Sequence, residues 1–139
     1  MKVFLFYIGK PRDIHANGIA EDFVERASHY AGTQMSEIRT ERFDLWARYP
    51  AAQKILLDPL GKQMSSADFA GLFEKAEMIG RDLVFLIGGH EGLPLGWRDR
   101  ADLLLSLSRM TLPHELARAV LAEQIYRAFA ILRGHPYPR

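Results

Sequence analysis

Three short segments carry the residue types that could build a ligand site. An apolar run precedes each of them: Gly88-Gly89-His90-Glu91-Gly92, Asp58-Pro59-Leu60-Gly61 and Ser106-Leu107-Ser108-Arg109-Met110-Thr111. Glycines let a backbone turn sharply beside a ligand, and ligands of open α/β sheets bind at the carboxyl ends of strands. Backbone N–H and C=O groups there could bind an adenine edge and a ribose. A plain tight turn and local capping by the hydroxyls are the alternatives.

A second group of chemistry-bearing residues is basic and aromatic and lies towards the C-terminal end. Arginine holds phosphates through two hydrogen bonds, and tyrosine stacks on an unpaired base. A solvated helix end with a frayed tail is the alternative interpretation. The members of the group are Arg118, Arg127, Arg133, His135, Tyr137 and Arg139.

Other familiar signatures do not fit the sequence. His114 and Glu115 begin a zinc-like motif, but Arg118 stands where its second histidine should be, so we predict no metal site. The glycine spacing differs from the dinucleotide fingerprint, and Gly61-Lys62 lacks the first glycine of a P-loop. The chain has no cysteine, which excludes thiol catalysis and fits a reducing compartment.

Length and composition favour one ordinary globular domain spanning residues 1–139. The chain has 48% hydrophobic residues, enough for a core, and a formal net charge of +1, which does not by itself indicate a nucleic-acid binder. The apolar start of the chain is too short to span a membrane and lacks a cleavage site, so we predict a cytoplasmic protein without a membrane partner.

Strands and helices that alternate along the chain must position these residues. Residues 3–8, 55–57, 83–87 and 103–107 are apolar runs typical of buried strands, and residues 35–43 indicate an edge strand. Residues 97–101 favour a short helical turn. Asn17 and Gly32 are expected to bound a first helix, Ser65 and Gly80 a second, and Pro113 and Gly134 a third. This alternation predicts an α/β fold.

The predicted last helix is apolar over an unusually wide arc. Such an arc buries more than one face, so we expect a homodimer interface along it. One apolar stripe contains Ala117, Leu121, Ile125, Ala128 and Leu132, and a second contains Leu116, Val120 and Ile131.

Together these segments resemble the ribosomal RNA large-subunit methyltransferase H family of the SPOUT class. The order of the motifs makes the resemblance specific, and it runs from about residue 55 to residue 137, with a fainter match at residues 3–10. The matching segments are LLDPLGK (56–62), FLIGGHEGL (85–93), LSLSRMTLPHELAR (105–118), LAEQIYRA (121–128) and GHPY (134–137).

The resemblance implies a fold, a reaction and a set of site residues. The fold is a SPOUT-type parallel sheet with helices on both faces and a C-terminal trefoil knot. The reaction, carried out by a homodimer, transfers a methyl group from S-adenosyl-L-methionine to N3 of a pseudouridine in 23S rRNA of the assembled ribosome. Tyr137 and Arg139 match the family's catalytic tail, and His135 lies near them. The cofactor pocket would comprise Leu57, Gly88, Leu107, Ser108, Arg109, Met110, Thr111 and Leu112.

The chain departs from the family pattern in two places. The stretch between residues 38 and 55 is shorter than usual, and Pro138 takes the position of a histidine. The first departure leaves open a different RNA target, and the second leaves open an RNA-binding module that has lost its chemistry. The low net charge leaves open an α/β domain that binds only small molecules.

Overall fold

A single parallel sheet organises residues 1–138, the part of the chain that a computed structural model describes. Its strands are β1 (Val3–Ile8), β2 (Thr33–Ile38), β3 (Gln53–Lys62), β4 (Leu83–Ile87) and β5 (Leu103–Leu105). The helices are α1 (Ile14–Ser28), α2 (Leu45–Arg48), α3 (Ser66–Ile79), α4 (Trp97–Arg100) and α5 (His114–Arg133). The strand order is β2-β1-β4-β3-β5, so β4 lies at the centre.

Every pairing in this sheet is parallel, so all its strands end at the same edge. Tyr7 pairs with Ile87, Leu56 with Leu86, and Leu57 with Leu105. The loops after β1, β3, β4 and β5 therefore meet there, as expected for the ligand edge of an open α/β sheet. β3 runs past its predicted end to Lys62 through an irregular register, and β5 ends two residues before its predicted end.

The three long helices, α1, α3 and α5, cover one face of the sheet. Alternate side chains of the central strands point into this layer, as period-two strand geometry requires. Phe73 and Phe129 meet edge to face with ring centroids 5.2 Å apart, which links α3 to α5 above Phe85. The larger of the two hydrophobic clusters is therefore a three-helix layer on one side of the sheet.

Aromatic side chains and two one-turn helices, α2 and α4, cover the other face. Tyr49 lies over Phe4 with ring centroids 4.7 Å apart, and Phe43 lies 5.3 Å from Phe6. Phe43 can do so because the predicted edge strand at residues 35–43 in fact ends at Ile38. Helices thus lie on both faces, as predicted, but very unequally. The knot and the single-domain organisation stay predictions.

The helix ends follow the predicted capping chemistry except in α1. The Ser65 hydroxyl accepts from the Asp68 N–H at 3.0 Å, and Gly80 and Gly134 end α3 and α5 in the left-handed conformation. The predictions that Asn17 caps α1 and that Gly32 ends it are both wrong, since the helix ends at Ser28. The carboxylate of Asp13 accepts from the first N–H groups, and Asn17 is buried within the helix.

Candidate functional site

A cavity of about 260 Å³ lies at the carboxyl ends of β3, β4 and β5. It brings together the three segments with ligand-site chemistry, at residues 58–61, 88–92 and 106–111, which are separated along the chain by 26 and 13 residues. All eight residues that the resemblance assigns to a cofactor line this cavity, namely Leu57, Gly88, Leu107, Ser108, Arg109, Met110, Thr111 and Leu112. Its other apolar walls come from Ile87, Leu93, Leu105 and Ala117.

The glycine turn after β4 closes so tightly that side chains would not fit. A Cβ at Gly88 would lie 2.6 Å from the carbonyl carbon and oxygen of Gly92, and one at Gly89 would lie 2.9 Å from the oxygen of Ile8. Gly92 has a φ of +82°, which favours glycine. The turn therefore needs glycine at these positions, and it brings the backbone itself to the cavity wall.

The loop after β5 is held by its own serines. The Ser106 hydroxyl donates to the Ser108 carbonyl at 3.0 Å, and the Ser108 hydroxyl accepts from the Met110 N–H at 2.9 Å. Local capping, the alternative considered for these hydroxyls, is therefore what Ser106 and Ser108 do here. They fix the shape of a loop that wraps one side of the cavity.

Asp58 contributes a carboxylate to the same wall. Its Oδ1 accepts from the Leu60 N–H at 2.8 Å, and its Oδ2 lies 2.5 Å from Nε of Arg98 in α4. This ion pair joins the end of β3 to the segment that follows the glycine turn. The sequence pattern indicates a turn at Asp58 but not its partner Arg98, because no local pattern links residues 40 positions apart.

A buried polar cluster fixes the start of α5 beside the cavity. Arg118 is fully buried, its guanidinium lies 3.5 Å from the ring centroid of Tyr7, and it donates to Asn17. Glu115 accepts from the N–H groups of Arg12 and Asp13 at 2.6 and 3.1 Å and from the Asn17 amide at 2.9 Å. These hydrogen bonds lower the pKa of Glu115 to about 2.

The place of Arg118 in this cluster corrects its assignment to the basic C-terminal group. A fully buried guanidinium cannot contact a phosphate at the surface. Instead it ties α5 to β1 and α1. Because His114 and Ala117 of the same helical turn line the cavity, the cluster holds one wall of the cavity in place.

The C-terminal residues form a separate cluster around Glu123. The Tyr137 hydroxyl donates to Glu123 Oε2 at 2.7 Å, and Arg127 contacts the same oxygen at 2.7 Å while lying 4.6 Å from the Tyr137 ring centroid. Burial, and then the hydrogen bond to Glu123, raise the pKa of Tyr137. Sequence reasoning missed Glu123, although its spacing of four residues from Arg127 was a usable signal.

Two of the predicted catalytic residues line a second cavity, of about 820 Å³, rather than the first. Tyr137 and His135 lie there with Arg127 and Gln124, and the two cavities share no lining residue within the described part of the chain. Arg133 is held by Glu77 at 2.7 Å. Arg139, the third predicted catalytic residue, lies outside the described residues.

Neither a metal site nor a membrane span is found in the described part of the chain. Within residues 1–138, no three histidine, aspartate or glutamate side chains converge as metal ligands would. No helix in the same range has both the length and the apolar character that crossing a bilayer requires.

Comparisons with known proteins agree on one family. The family model described as "Predicted SPOUT methyltransferase" matches residues 1–138. A protein of Solibacter usitatus named ribosomal RNA large subunit methyltransferase H is 66% identical over 139 residues, with complete coverage of both chains. A protein of the same name from Gemmatimonas aurantiaca is 40% identical, with 99% coverage of both chains.

Solved structures share the fold at low sequence identity. A probable methyltransferase from Bordetella pertussis superposes with a TM-score of 0.62 at 10% identity, covering 92% of this chain and 94% of that one. An rRNA methyltransferase from Sinorhizobium meliloti with bound AdoMet gives a TM-score of 0.54 at 13% identity, covering 91% of this chain and 56% of its own. The chain belongs to the SPOUT methyltransferase family and, within it, to the ribosomal RNA large subunit methyltransferase H group.

Proposed function

We propose that this protein transfers a methyl group from S-adenosyl-L-methionine to N3 of a pseudouridine in 23S rRNA of the assembled ribosome. The observation that carries the proposal is the cavity at the carboxyl ends of β3, β4 and β5. It gathers eight residues from separate motifs in a chain 66% identical to a protein named ribosomal RNA large subunit methyltransferase H. We place the reaction in the cytoplasm, where ribosomes assemble.

The residues present suit this cofactor. Leu57, Leu107 and Leu112 would offer apolar walls to a flat adenine, and the tight turn that Gly88 permits would present backbone groups to the same cavity. Asp58 supplies an acidic group for a cationic ligand. When bound, the cofactor supplies an already activated methyl group on its sulfonium.

The protein's own task is therefore to align the acceptor base and to manage its N3 proton. Tyr137 keeps its proton at neutral pH, all the more because its pKa is raised, and it donates that proton to Glu123. Its hydroxyl oxygen therefore orients the base by accepting a hydrogen bond rather than by taking up the N3 proton. Arg139 supplies a cation that stabilises the anionic form of the base as the proton leaves. Arg133 is the weaker candidate for this cation because Glu77 already engages it.

A homodimer would bring the tail and the cofactor cavity together. Among residues 1–138 no residue lines both cavities, which supports assigning Tyr137 of one chain to the cofactor cavity of a second copy. Leu116 and Ile131 support a second copy because they leave 42% and 47% of their surface exposed on α5. Pairing two tails would also strengthen the weak attraction of a +1 chain for RNA.

Proline at position 138, in place of the family's histidine, is compatible with the role proposed for Tyr137 and Arg139. Its carbonyl accepts from Nη1 of Arg127 at 2.8 Å, a backbone contact that a histidine could make equally well. What the substitution removes is a titratable ring, so the proton must leave through water or another base. This argues against reliance on a histidine at position 138 and leaves Tyr137 in place.

The experiment that tests the proposal measures transfer of labelled methyl from S-adenosyl-L-methionine to intact ribosomes lacking the modification, followed by nucleoside chromatography. We expect label in 3-methylpseudouridine. Label in another nucleoside would keep the cofactor and change the target. Cofactor binding without any transfer would favour an RNA-binding module, and efficient methylation of a short free stem-loop would contradict the requirement for an assembled ribosome.

A further inference from the structure

Asp58 is the acidic residue of the cofactor cavity, since the other lining residues within the described chain are neutral or basic. Its side chain is only 10% exposed, whereas that of its partner Arg98 is 49% exposed. A carboxylate buried this deeply normally needs a compensating interaction. The structure supplies two, from the Leu60 N–H and the Arg98 guanidinium.

These two contacts fix the position of the negative charge. One carboxylate oxygen is held by the backbone N–H of its own turn and the other by Arg98, which does not itself line the cavity. Solvent screens the half-exposed guanidinium more strongly than the buried carboxylate. Seen from inside the cavity, the pair therefore leaves a net negative potential rather than cancelling.

A fixed negative potential distinguishes the two forms of the cofactor. Before transfer the cofactor carries a sulfonium, and after transfer it is a neutral thioether, so its net charge falls by one unit. A carboxylate in the wall attracts the first form more than the second. Nothing else in the shape of the two molecules differs except one methyl group.

We propose that Asp58 makes the cavity prefer S-adenosyl-L-methionine over S-adenosylhomocysteine, an inference that rests on the function proposed above. Arg98 moderates that preference by offsetting part of the charge. Arg109 lines the same cavity, but its side chain is exposed and its charge is screened by solvent. The consequence for turnover is that the product is released more readily than the substrate.

The test is calorimetric titration of the full chain with three ligands: S-adenosyl-L-methionine, S-adenosylhomocysteine and sinefungin, an analogue with a cationic amine in place of the methylsulfonium. In Asp58→Asn, which keeps the shape and the contact with Leu60, we expect the two cationic ligands to bind about five- to tenfold more weakly. This is the size of effect expected when one unit charge is removed from the wall of a partly solvated site. The affinity for S-adenosylhomocysteine should not change.

Two substitutions of Arg98 complete the test. One should change the ligand preference in the direction opposite to Asp58→Asn, and the other is a matched control. Arg98→Gln removes the moderating cation, so the preference for cationic ligands should increase, by about two- to threefold. Arg98→Lys keeps the charge and should leave the preference as it is in the wild type. These variants also test the inference if Asp58→Asn fails to fold.

The outcomes separate this inference from the proposed function. Equal weakening of all three ligands in Asp58→Asn would make the residue a structural brace, and an unchanged preference in Arg98→Gln would also overturn the inference, while cofactor binding by the wild type still stood. A wild-type chain that binds none of the three ligands would contradict the proposed function, and the inference with it.

Discussion

The cofactor cavity and the C-terminal cluster are built in opposite ways. The cavity is formed at strand ends by backbone turns, apolar walls and glycines that admit no side chain. The C-terminal cluster is formed by side chains, with Glu123 at its centre bonded to Arg127 and Tyr137. The first is complete within one chain. The second faces a different cavity, so in the proposed homodimer its chemistry would depend on where the second chain lies.

This difference determines which substitutions each region tolerates. A backbone-built cavity depends on a few positions where a Cβ would collide, and most side chains around it affect affinity only through shape. A side-chain cluster depends on the functional groups themselves, and its loss leaves the cavity intact. Binding and turnover should therefore respond separately to substitutions in the two regions.

The largest expected effect is on turnover, from the double substitution Tyr137→Phe with Arg139→Gln. Losing the orienting hydroxyl and the stabilising cation should lower kcat about a hundredfold or more, while cofactor affinity stays nearly unchanged. Methyl transfer to ribosomes and calorimetry measure the two quantities. Arg133→Gln is the control, since Glu77 holds that guanidinium elsewhere. Wild-type turnover in the double variant would end the assignment.

The next effect is on cofactor affinity, from Gly88→Ala. Its new Cβ would meet Gly92 backbone atoms at 2.6 Å and force the turn open. Overpacking of this kind costs about 1–3 kcal/mol, which corresponds to roughly a fivefold to 150-fold weaker cofactor affinity if the cost falls on the bound state. Gly71→Ala is the matched control because a Cβ there meets nothing within 4 Å in α3. Unaltered affinity in Gly88→Ala would mean that the cofactor binds elsewhere.

A mixed dimer tests directly whether the two regions cooperate between chains. Co-expressing Gly88→Ala with the Tyr137/Arg139 double variant gives mixed dimers that carry one intact cavity facing one intact tail. We expect about a quarter of wild-type transfer, since about half of the dimers are mixed and each has one working site. Adding Ile131→Asp to both chains should abolish the recovery. If co-expression of Gly88→Ala with the Tyr137/Arg139 double variant restores no methyl transfer, each C-terminal tail must serve the cavity of its own chain.

The smallest effect concerns stability, through the contact by which Glu115 holds α5 to the loop after β1. Its pKa of about 2 in the folded protein lies below the ordinary 4.5, so between these values the unfolded chain binds a proton that the folded one does not. The stabilisation is therefore full above about pH 4.5 and is lost as the pH falls through 2.

Glu115→Gln should accordingly lose less of its free energy of unfolding between pH 6 and pH 3 than the wild type does. Urea unfolding at the two pH values measures the loss. Glu74→Gln, an exposed substitution on α3, serves as the control. An identical pH dependence in Glu115→Gln and wild type would show that this carboxylate does not contribute as described.

Local sequence patterns predicted the strands and most helix ends well because those depend on neighbouring residues. Asn17 shows where such patterns fail: Asp13 and Asn17 both suit a cap, and the choice depends on Arg118 and Glu115, about a hundred positions away. The three strand ends of the cavity were predictable from turn chemistry. The Asp58–Arg98 pair and the burial of Arg118 were not, since both arise only when distant segments meet.

The unequal covering of the two sheet faces determines where the molecule is expected to open locally. Three long helices seal one face, whereas aromatic rings and two single turns cover the other. The least costly local opening is expected where tertiary packing is thinnest, so amides of α2 and α4 should exchange with solvent well before those of α5. Because Arg98 of α4 holds Asp58 in the cavity wall, such an opening would release that wall while the three-helix layer stays folded. Local opening of the thinly covered face would therefore change the cavity without unfolding the core.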